Sequence, residues 1–368
     1  MKILSWVLVV CGFLVLAGVL FFGLDAIALE YNKINNYATV AMNDMFDRYV
    51  AVKDKTPEQY RVLLVGDIML DRGVKSKVYQ YGGDYAFLFN DITDVLSSAD
   101  ITFGNLEGSV SDVGADTGKP YSFRFEPKIV DALAGAGFDV VALANNHTFD
   151  WGHESLCASV SHLDRVGIFG SGAGCDTARA EQPFIKELSD GTMIGFLSFT
   201  EFYKGGYATE DRAGLARYTE ENMLQRIADL KTNGTDVVFV SIHWGTEYHT
   251  RSNEMQQELG RKFIEAGADV VVGHHPHVAQ EIEKYQDGWI IYSLGNFIFD
   301  QKFSEQTMKG LMAEVIIQDG AVASLGSHIV RLNENYQPGV DLEGKYEYVD
   351  GAELEAAHVE SHRIEASL

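Results

Sequence analysis

The sequence predicts an α/β protein whose strands are covered by helices on both faces. Short apolar runs rich in Val and Ile alternate with helix-forming segments from about residue 60 to residue 300, and such runs are typical of strands buried on both faces. Three of these runs begin with Asp-Val-Val and lead to histidine, and the composition does not change again before about residue 330. We therefore expect one large α/β domain.

The individual elements follow from these apolar runs and from helical periodicity. Strands are predicted at Arg61–Val65, Ile101–Phe103, Val140–Ala144, Met193–Ser198, Asp236–Ser241, Val270–Val272 and Trp289–Ser293. Helices are predicted at Pro127–Ala134, His153–Val166, Glu220–Lys231 and Asn253–Ala266. The domain is expected over residues 58–332, followed by an acidic tail at 333–368.

The amino-terminal segment has the composition of a membrane anchor. After Lys2, an uncharged apolar run extends from Ile3 to Leu24, which is long enough to cross a hydrocarbon layer of roughly 30 Å. Residues 1–30 are therefore predicted to anchor the chain in the cell membrane, with residues 31–57 as a stalk and the large domain outside the cytoplasm. A cleaved signal peptide remains an alternative, since Ala26-Ile27-Ala28 loosely fits a cleavage site.

Composition narrows the function classes. The chain has 368 residues, 46% of them hydrophobic, with 29 Lys and Arg against 53 Asp and Glu, which gives a formal net charge of −24. Such a charge argues against nucleic-acid binding, because phosphate contacts require clustered Lys and Arg. The three cysteines are too few for a disulfide scaffold, and a single bridge between Cys157 and Cys175 stays open.

Polar side chains follow at least six of the predicted strands. In open α/β sheets, ligands bind at the carboxyl ends of strands, so these side chains are candidates for one pocket. They are Asp67, Asn105, Glu107, Asn146, His147, His243, His274, His275, His277 and Asn296.

A mixed set of imidazole, carboxylate and amide groups without thiolates points to a transition-metal site. Six residues are the expected ligands, enough for two divalent ions (Mn, Fe or Zn) that share a bridging carboxylate: Asp67, Glu107, Asn146, His243, His275 and His277. Two such ions about 3.5 to 4 Å apart can activate water and stabilise developing negative charge. His147 is the candidate general acid that protonates a leaving group.

Each of these residues also has a simpler interpretation. Asp67 alone is typical of a turn or helix cap, and His243 beside Trp244 is compatible with a core histidine. Gly273 to His277 favours a metal, because three imidazoles within four positions repel one another when protonated. Glu247 either supports a ligand or is solvated, and Arg72 either contacts an anionic substrate or forms a surface ion pair.

Six motifs in a fixed order carry a family resemblance. They are Gly66-Asp67-Ile68-Met69, Gly104-Asn105-Leu106-Glu107, Ala144-Asn145-Asn146-His147 with Asp150, His243-Trp244-Gly245 with Glu247-Tyr248, Gly273–His277, and Ser293-Leu294-Gly295-Asn296-Phe297. Over residues 60–301 this pattern resembles the CapA family, also called PgsA, the poly-γ-glutamate capsule biosynthesis proteins.

The resemblance implies a calcineurin-like metallophosphoesterase fold, in which two sheets are sandwiched between helices. It also implies a part in making or exporting poly-γ-glutamate, alongside a membrane-bound ligase and a small membrane subunit. By the same resemblance Asp67 matches the first metal aspartate, Asn105 and Glu107 occupy the segment of the bridging carboxylate, and Asn146 and His147 match the Asn-His pair. The remaining histidine ligands are matched by His243, His275 and His277.

This chain departs from the phosphoesterase pattern at two positions: Met69 and Asn105 stand where histidine and aspartate are usual. Whether the protein is an enzyme therefore stays open. Its pocket is expected either to hydrolyse a phosphoester or amide bond or to act as a non-catalytic, metal-assisted polymer-binding scaffold. A secreted metallophosphoesterase unrelated to capsule is the third alternative.

Overall fold

A computed structural model describes residues 58–203, 205–345 and 349–350. The strands are β1 (Gln59–Ile68), β2 (Ile101–Leu106), β3 (Ser109–Val110), β4 (Arg124–Phe125), β5 (Val140–Ala142), β6 (Phe169–Ser171), β7 (Ala173–Gly174), β8 (Phe184–Glu187), β9 (Met193–Thr200), β10 (Gly214–Leu215), β11 (Val237–His243), β12 (Val270–His274), β13 (Ile282–Tyr285), β14 (Gly288–Ile291), β15 (Asn296–Ile298), β16 (Lys309–Gln318), β17 (Ala321–Leu332), β18 (Pro338–Lys345) and β19 (Val349–Asp350). The helices are α1 (Arg72–Gln80), α2 (Thr93–Leu96), α3 (Ile129–Ala136), α4 (Gly152–Arg165), α5 (Thr177–Ala180), α6 (Glu220–Thr232) and α7 (Glu254–Glu265), with 3₁₀ helices at Tyr85–Phe89 and Gln306–Met308.

The strands form two large sheets. The first sheet has the order β18-β17-β16-β1-β2-β5-β6, with β15 pairing beside β1, and the second has the order β19-β13-β14-β12-β11-β9-β8. Neighbouring strands run parallel from β1 through β2 and β5 to β6, and again from β9 through β11 and β12 to β14. In each sheet the carboxyl ends of these parallel strands therefore lie at one edge.

Side-chain alternation along the strands places the two sheets face to face. In β1, Val62 and Leu64 belong to one buried cluster, whereas the intervening Leu63 belongs to another, as expected when successive side chains point to opposite faces. Phe103 of β2 stacks on Phe196 of β9 with ring centroids 5.4 Å apart. The cluster that contains these residues is the core between the sheets.

Helices cover the outer faces. Val74 of α1 and Leu163 of α4 pack against the outer face of the first sheet, while Ile227 of α6 and Phe263 of α7 pack against the outer face of the second. The result is a helix–sheet–sheet–helix arrangement, in agreement with the predicted α/β fold and its sandwiched sheets.

The predicted elements agree with the structure in position, with ends that differ by one to a few residues. Helix α7 begins where Asn253 accepts a hydrogen bond from the backbone N–H of Gln256, whose side chain bonds back to the Asn253 backbone. This reciprocal cap supplies partners to N–H groups that a helix end leaves unsatisfied. Helix α1 was not predicted, because only Val74 and Val78 of its nine residues are buried.

The long antiparallel strands β16, β17 and β18 were not predicted either. β18 pairs with β17 from Leu332 opposite Pro338 to His328 opposite Lys345. The boundary predicted at residue 332 therefore falls within a hairpin, and the sheet continues into the segment assigned to an acidic tail. An edge strand tolerates charged and polar residues, which is why composition alone does not reveal β18.

Two further expectations concern covalent and membrane features. Cys157 of α4 and Cys175 form a disulfide, which closes the alternative left open by the sequence. The predicted anchor at residues 1–30 and stalk at 31–57 lie outside the described residues. Within the described part of the chain, every helix is too short or too polar to cross a bilayer.

Candidate metal centre

The first sheet contributes oxygen and amide groups to the site. Asp67 lies near the end of β1, opposite Asn105 of β2 and Asn296 of β15 in the strand register, and Glu107 follows β2. Asp67, Asn105 and Glu107 are fully buried. A Cβ at Gly66 would lie 2.0 Å from the carbonyl oxygen of Gly295, so glycine is required where β1 approaches the turn before β15.

The second sheet contributes imidazoles. His243 ends β11 and pairs in register with His274, which ends β12, and His275 and His277 follow. Both His275 (φ 97°) and His277 (φ 58°) adopt positive φ, a conformation that is uncommon for residues other than glycine and is concentrated at functional sites. All four histidines are buried.

The two sheets meet at Asp67. The backbone N–H of His275 donates to Asp67 Oδ2 at 3.3 Å, and Nδ1 of His277 lies 3.1 Å from the same oxygen. His274 Nδ1 lies 3.4 Å from Asp67 Oδ1. Segments about two hundred residues apart in the chain therefore share one carboxylate.

Amide groups extend this network. Nε2 of His243 lies 3.1 Å from Asn146 Oδ1 and 3.2 Å from His275 Nδ1. Nδ1 of His277 lies 3.0 Å from Asn296 Oδ1. Asn105 Nδ2 donates to Asp67 Oδ1 at 2.8 Å, so each predicted amide contacts a predicted ligand.

His147 is held by a carboxylate that the sequence reasoning did not assign. Its Nδ1 donates to Asp150 Oδ2 at 2.6 Å, and Lys119 Nζ donates to the other Asp150 oxygen at 2.7 Å. The His147 ring stacks on Phe123 with centroids 4.0 Å apart, and its Nε2 lies 3.7 Å from Glu107 Oε1. The available signal was the position of Asp150, three residues after His147.

Two groups of donors have the spacing of a metal site. We call Asp67, Glu107 and His243 the inner group, and Glu247, His275 and His277 the outer group; within each group the ligand atoms lie within 4.8 Å of one another. Glu107 Oε1 is buried without a hydrogen-bond partner, which is costly for an ionised carboxylate and favours its protonated form. These oxygen and imidazole donors fit a divalent ion, while metal ligation by each residue stays a prediction.

The buried carboxylates and imidazoles of the site have shifted pKa values: those of Asp67 and His275 are lowered, and those of Glu107 and His277 are raised. Burial opposes ionisation of Asp67, but the contacts with His274 and His277 hold the pKa of Asp67 well below its ordinary value. Burial, together with the charge of Asp67, raises the pKa of Glu107 well above its ordinary value. Burial lowers the pKa of His275 to about 3. Although burial opposes it, Glu107 and Asp67 raise the pKa of His277 to about 9.

A cleft of about 410 Å³ opens beside the centre. It is lined by Arg72, Tyr121, Phe123, His147, Glu247, Tyr248, His277, Phe299, Asp300, Gln301 and Phe303. Arg72 donates to Asp300, and its guanidinium lies 4.7 Å from the centroid of the Phe123 ring. Arg72 therefore belongs to the cleft wall, while His147 and His277 connect the cleft to the donor groups.

The structure thus brings most of the predicted residues into one network. Arg72 lies apart from the donors, His274 is in neither donor group, and Glu247 is exposed rather than enclosed. Asn145, Asp150 and Lys119 contribute contacts that sequence reasoning missed. Met69 stands where the phosphoesterase pattern has histidine. It is buried in the apolar cluster between the first sheet and the helices on its outer face.

Comparisons with known proteins give a consistent result. The family model for the bacterial capsule synthesis protein PGA_cap matches residues 61–301. The capsule biosynthesis protein CapA of Bacillus anthracis is 33% identical over 292 residues, which cover 77% of this chain and 69% of the relative. The PGA biosynthesis protein CapA of Bacillus subtilis (strain 168) is 30% identical, covering 73% of this chain and 71% of the relative.

Solved structures are more distant. The calcineurin-like phosphoesterase YfkN from Bacillus subtilis has a TM-score of 0.45 and 16% sequence identity to this chain, covering 76% of this chain and 92% of that chain. The segment matched by the family model contains all members of both donor groups.

Proposed function

The chain belongs to the bacterial capsule synthesis protein family PGA_cap, and from this premise we propose that it acts in poly-γ-glutamate synthesis or export as a metal-dependent hydrolase. The names of its CapA relatives support the capsule role. The observation that carries the hydrolase role is the position of His147, which touches Glu107 of the inner group and lines the cleft beside the outer group.

The residues divide into those that hold a cation and those that act on protons. Divalent metal held at this centre would polarise the bond to be cleaved and lower the pKa of water. His147 donates from Nδ1 to Asp150, so the ring is oriented with Nε2 toward Glu107. Because burial lowers the pKa of His147 despite Asp150, Nε2 carries no proton at neutral pH; it can accept a proton from the attacking water and then donate it to the leaving amine as a general acid.

The cleft favours a substrate that carries carboxylates. A net charge of −24 repels a polyanion, so binding needs local positive charge. Arg72, which is paired with Asp300, provides a guanidinium on the cleft wall, and a cation held by the outer group would provide a second positive charge for the carboxylates of a γ-linked glutamyl chain. We propose that the bond cleaved is an amide of this polymer.

We propose a membrane location and two membrane partners for this chain. The segment 1–30, with its apolar run from Ile3 to Leu24, anchors the chain in the cell membrane, and the domain functions outside the cytoplasm beside a membrane-bound ligase and a small membrane subunit. The Cys157–Cys175 disulfide supports this location, since disulfides persist mainly in oxidising compartments.

The full-length chain loaded with Mn²⁺ and incubated with γ-linked polyglutamate tests the function. We expect the polymer to shorten and free amines to appear. His147→Gln is expected to reduce turnover by on the order of 10²- to 10⁴-fold without loss of bound metal. The matched control is His162→Gln on α4, whose residue is not part of the cleft lining.

Two results would replace the proposal. Binding of the polymer without cleavage by the metal-loaded chain favours the non-catalytic scaffold. Hydrolysis of bis(4-nitrophenyl) phosphate without any action on the polymer favours a metallophosphoesterase unrelated to capsule.

A further inference from the structure

The side-chain amide of Asn105 occupies the middle of the inner group. Its Nδ2 donates to Asp67 Oδ1 at 2.8 Å and to Glu107 Oε2 at 3.3 Å. The same nitrogen lies 3.3 Å from His243 Nδ1. All three residues that would hold an inner cation therefore contact one NH₂ group.

Backbone groups determine which atom of Asn105 is the nitrogen. Asn145 Oδ1 accepts from the backbone N–H of His147 at 3.0 Å, and Asn145 Nδ2 donates to the backbone carbonyl of Leu106 at 2.9 Å. Because a backbone N–H only donates and a carbonyl only accepts, the Asn145 amide has one allowed orientation. Asn145 Nδ2 also donates to Asn105 Oδ1 at 3.2 Å, so the Asn105 nitrogen faces the inner group.

An amide NH₂ carries partial positive charge and offers no acceptor, so it opposes a cation at this position. It also uses one oxygen of Asp67 and one of Glu107 as hydrogen-bond acceptors. We infer that the inner group holds no resident metal ion and that the outer group, Glu247, His275 and His277, holds the single ion of this centre.

The outer group has the features that a functional ion requires. Glu247 is exposed, whereas His275 and His277 are buried. An ion held by these three residues would therefore lie at the protein surface, with the two imidazoles on its buried side. Glu247 and His277 also line the cleft, which leaves open positions for substrate or water, as in catalytic metal sites. The sequence predicts two metal ions at this centre, whereas the hydrogen bonds of Asn105 favour one. The inference rests on the proposed metal dependence, but not on the identity of the substrate.

The number of bound ions tests the inference directly. The full-length chain is stripped with a chelator and titrated with Mn²⁺ at about 0.15 M salt, which screens loose binding to surface carboxylates. We expect one ion per chain by equilibrium dialysis and the electron paramagnetic resonance spectrum of magnetically isolated Mn²⁺. Asn105→Asp replaces the NH₂ group with a carboxylate oxygen and is expected to raise the count to two, with the spectrum of a coupled pair.

Two further variants make the result independent of how well Asn105→Asp folds. Asn90→Asp makes the same charge change at an exposed residue and is expected to leave the count at one. Glu107→Gln removes an inner carboxylate and is also expected to retain one ion.

The possible failures are distinguishable. Two ions in the wild-type chain, or loss of an ion in Glu107→Gln, would overturn the single-ion inference and leave metal-dependent function intact. A second ion in Asn90→Asp would also overturn it, because the added ion would then follow charge rather than the inner group. A wild-type chain that binds no ion would overturn both proposals.

Discussion

The two sheets contribute opposite chemistry to one site. The first sheet supplies carboxylate and amide groups together with the imidazole of His147, and the second supplies the other four imidazoles, with Glu247 as the carboxylate on its side. Asp67 of the first sheet contacts residues 274, 275 and 277 of the second. Because these contacts exist only when the sheets pack face to face, formation of the candidate site depends on the core between them.

The two buried carboxylates of the first sheet, Asp67 and Glu107, have opposite pKa shifts. Asp67 lies among imidazoles, which lower its pKa. The pKa of Glu107 is raised mainly by burial, and the charges of Asp67, Glu247 and Asp150 raise it further. Both carboxylates lie near His277. They differ because Asp67 also contacts His274, whereas Glu107 lies near three other carboxylates.

Removing an imidazole is expected to have the largest effect. His275→Ala takes a ligand from the outer group, and we expect Mn²⁺ affinity to fall by more than the roughly 10- to 100-fold typical for loss of a supporting residue. Isothermal titration calorimetry of the full-length chain measures it. His249→Ala, at an exposed histidine two residues after Glu247, is the control, and unchanged affinity in His275→Ala would remove the outer group from consideration.

The pH dependence of metal affinity tests the interaction between the sheets. The pKa of His277 is raised to about 9, so at pH 7 this imidazole is protonated in the metal-free chain and must lose its proton to bind a cation. We expect affinity to rise about tenfold per pH unit between pH 7 and 8 for one displaced proton. Calorimetry in buffers of different ionisation enthalpy measures the proton release, and a flat profile would contradict the assignment.

Neutralising Glu107 is expected to have a smaller and opposite effect. The pKa of Glu107 is raised in the folded state. Its favourable contribution to the free energy of unfolding is therefore complete below the unfolded-state pKa, and it is lost as pH rises through the folded-state pKa. Glu107→Gln should therefore stabilise the metal-free chain at pH 7 by about 1 to 3 kcal/mol, measured by urea unfolding. Because Glu107 raises the pKa of His277, the affinity profile should also shift to lower pH. Destabilisation of the metal-free variant would show that the ionised carboxylate is favourable.

The smallest expected effect lies outside the comparison, on the cleft wall. Arg72 is partly exposed and already paired with Asp300, and such pairs contribute about 1 kcal/mol or less. Arg72→Gln is therefore expected to raise KM for γ-linked polyglutamate about fivefold with little change in kcat. Arg165→Gln, in an exposed pair with Asp131, is the control. An equal loss of kcat would indicate a role in the reaction rather than in binding.

Much of the fold followed from the sequence, but unequally. The strands that carry the donors were predicted because a strand buried on both faces is a short apolar run, as Val270–His274 illustrates. Strand β18 was not predicted, because a strand at a sheet edge needs no apolar run. Strand β17 was not predicted because most of its residues are partly or fully exposed. Asp150 and Lys119 were missed because Asp150 acts through its contact with His147 and Lys119 through its contact with Asp150, and spacing alone does not reveal such contacts.

The sequence by itself determined the types of donor group and their placement at strand ends, because both depend on local patterns of residues. Only the tertiary structure decided which atoms meet. Asn105 directs its nitrogen toward Asp67 because Asn145 is oriented by backbone groups of two separate segments, and Glu107 and Asp67 acquire opposite pKa shifts from residues distant in the chain. Hydrogen-bond direction and local charge are set by neighbours in space, so they could not be predicted from neighbours in sequence.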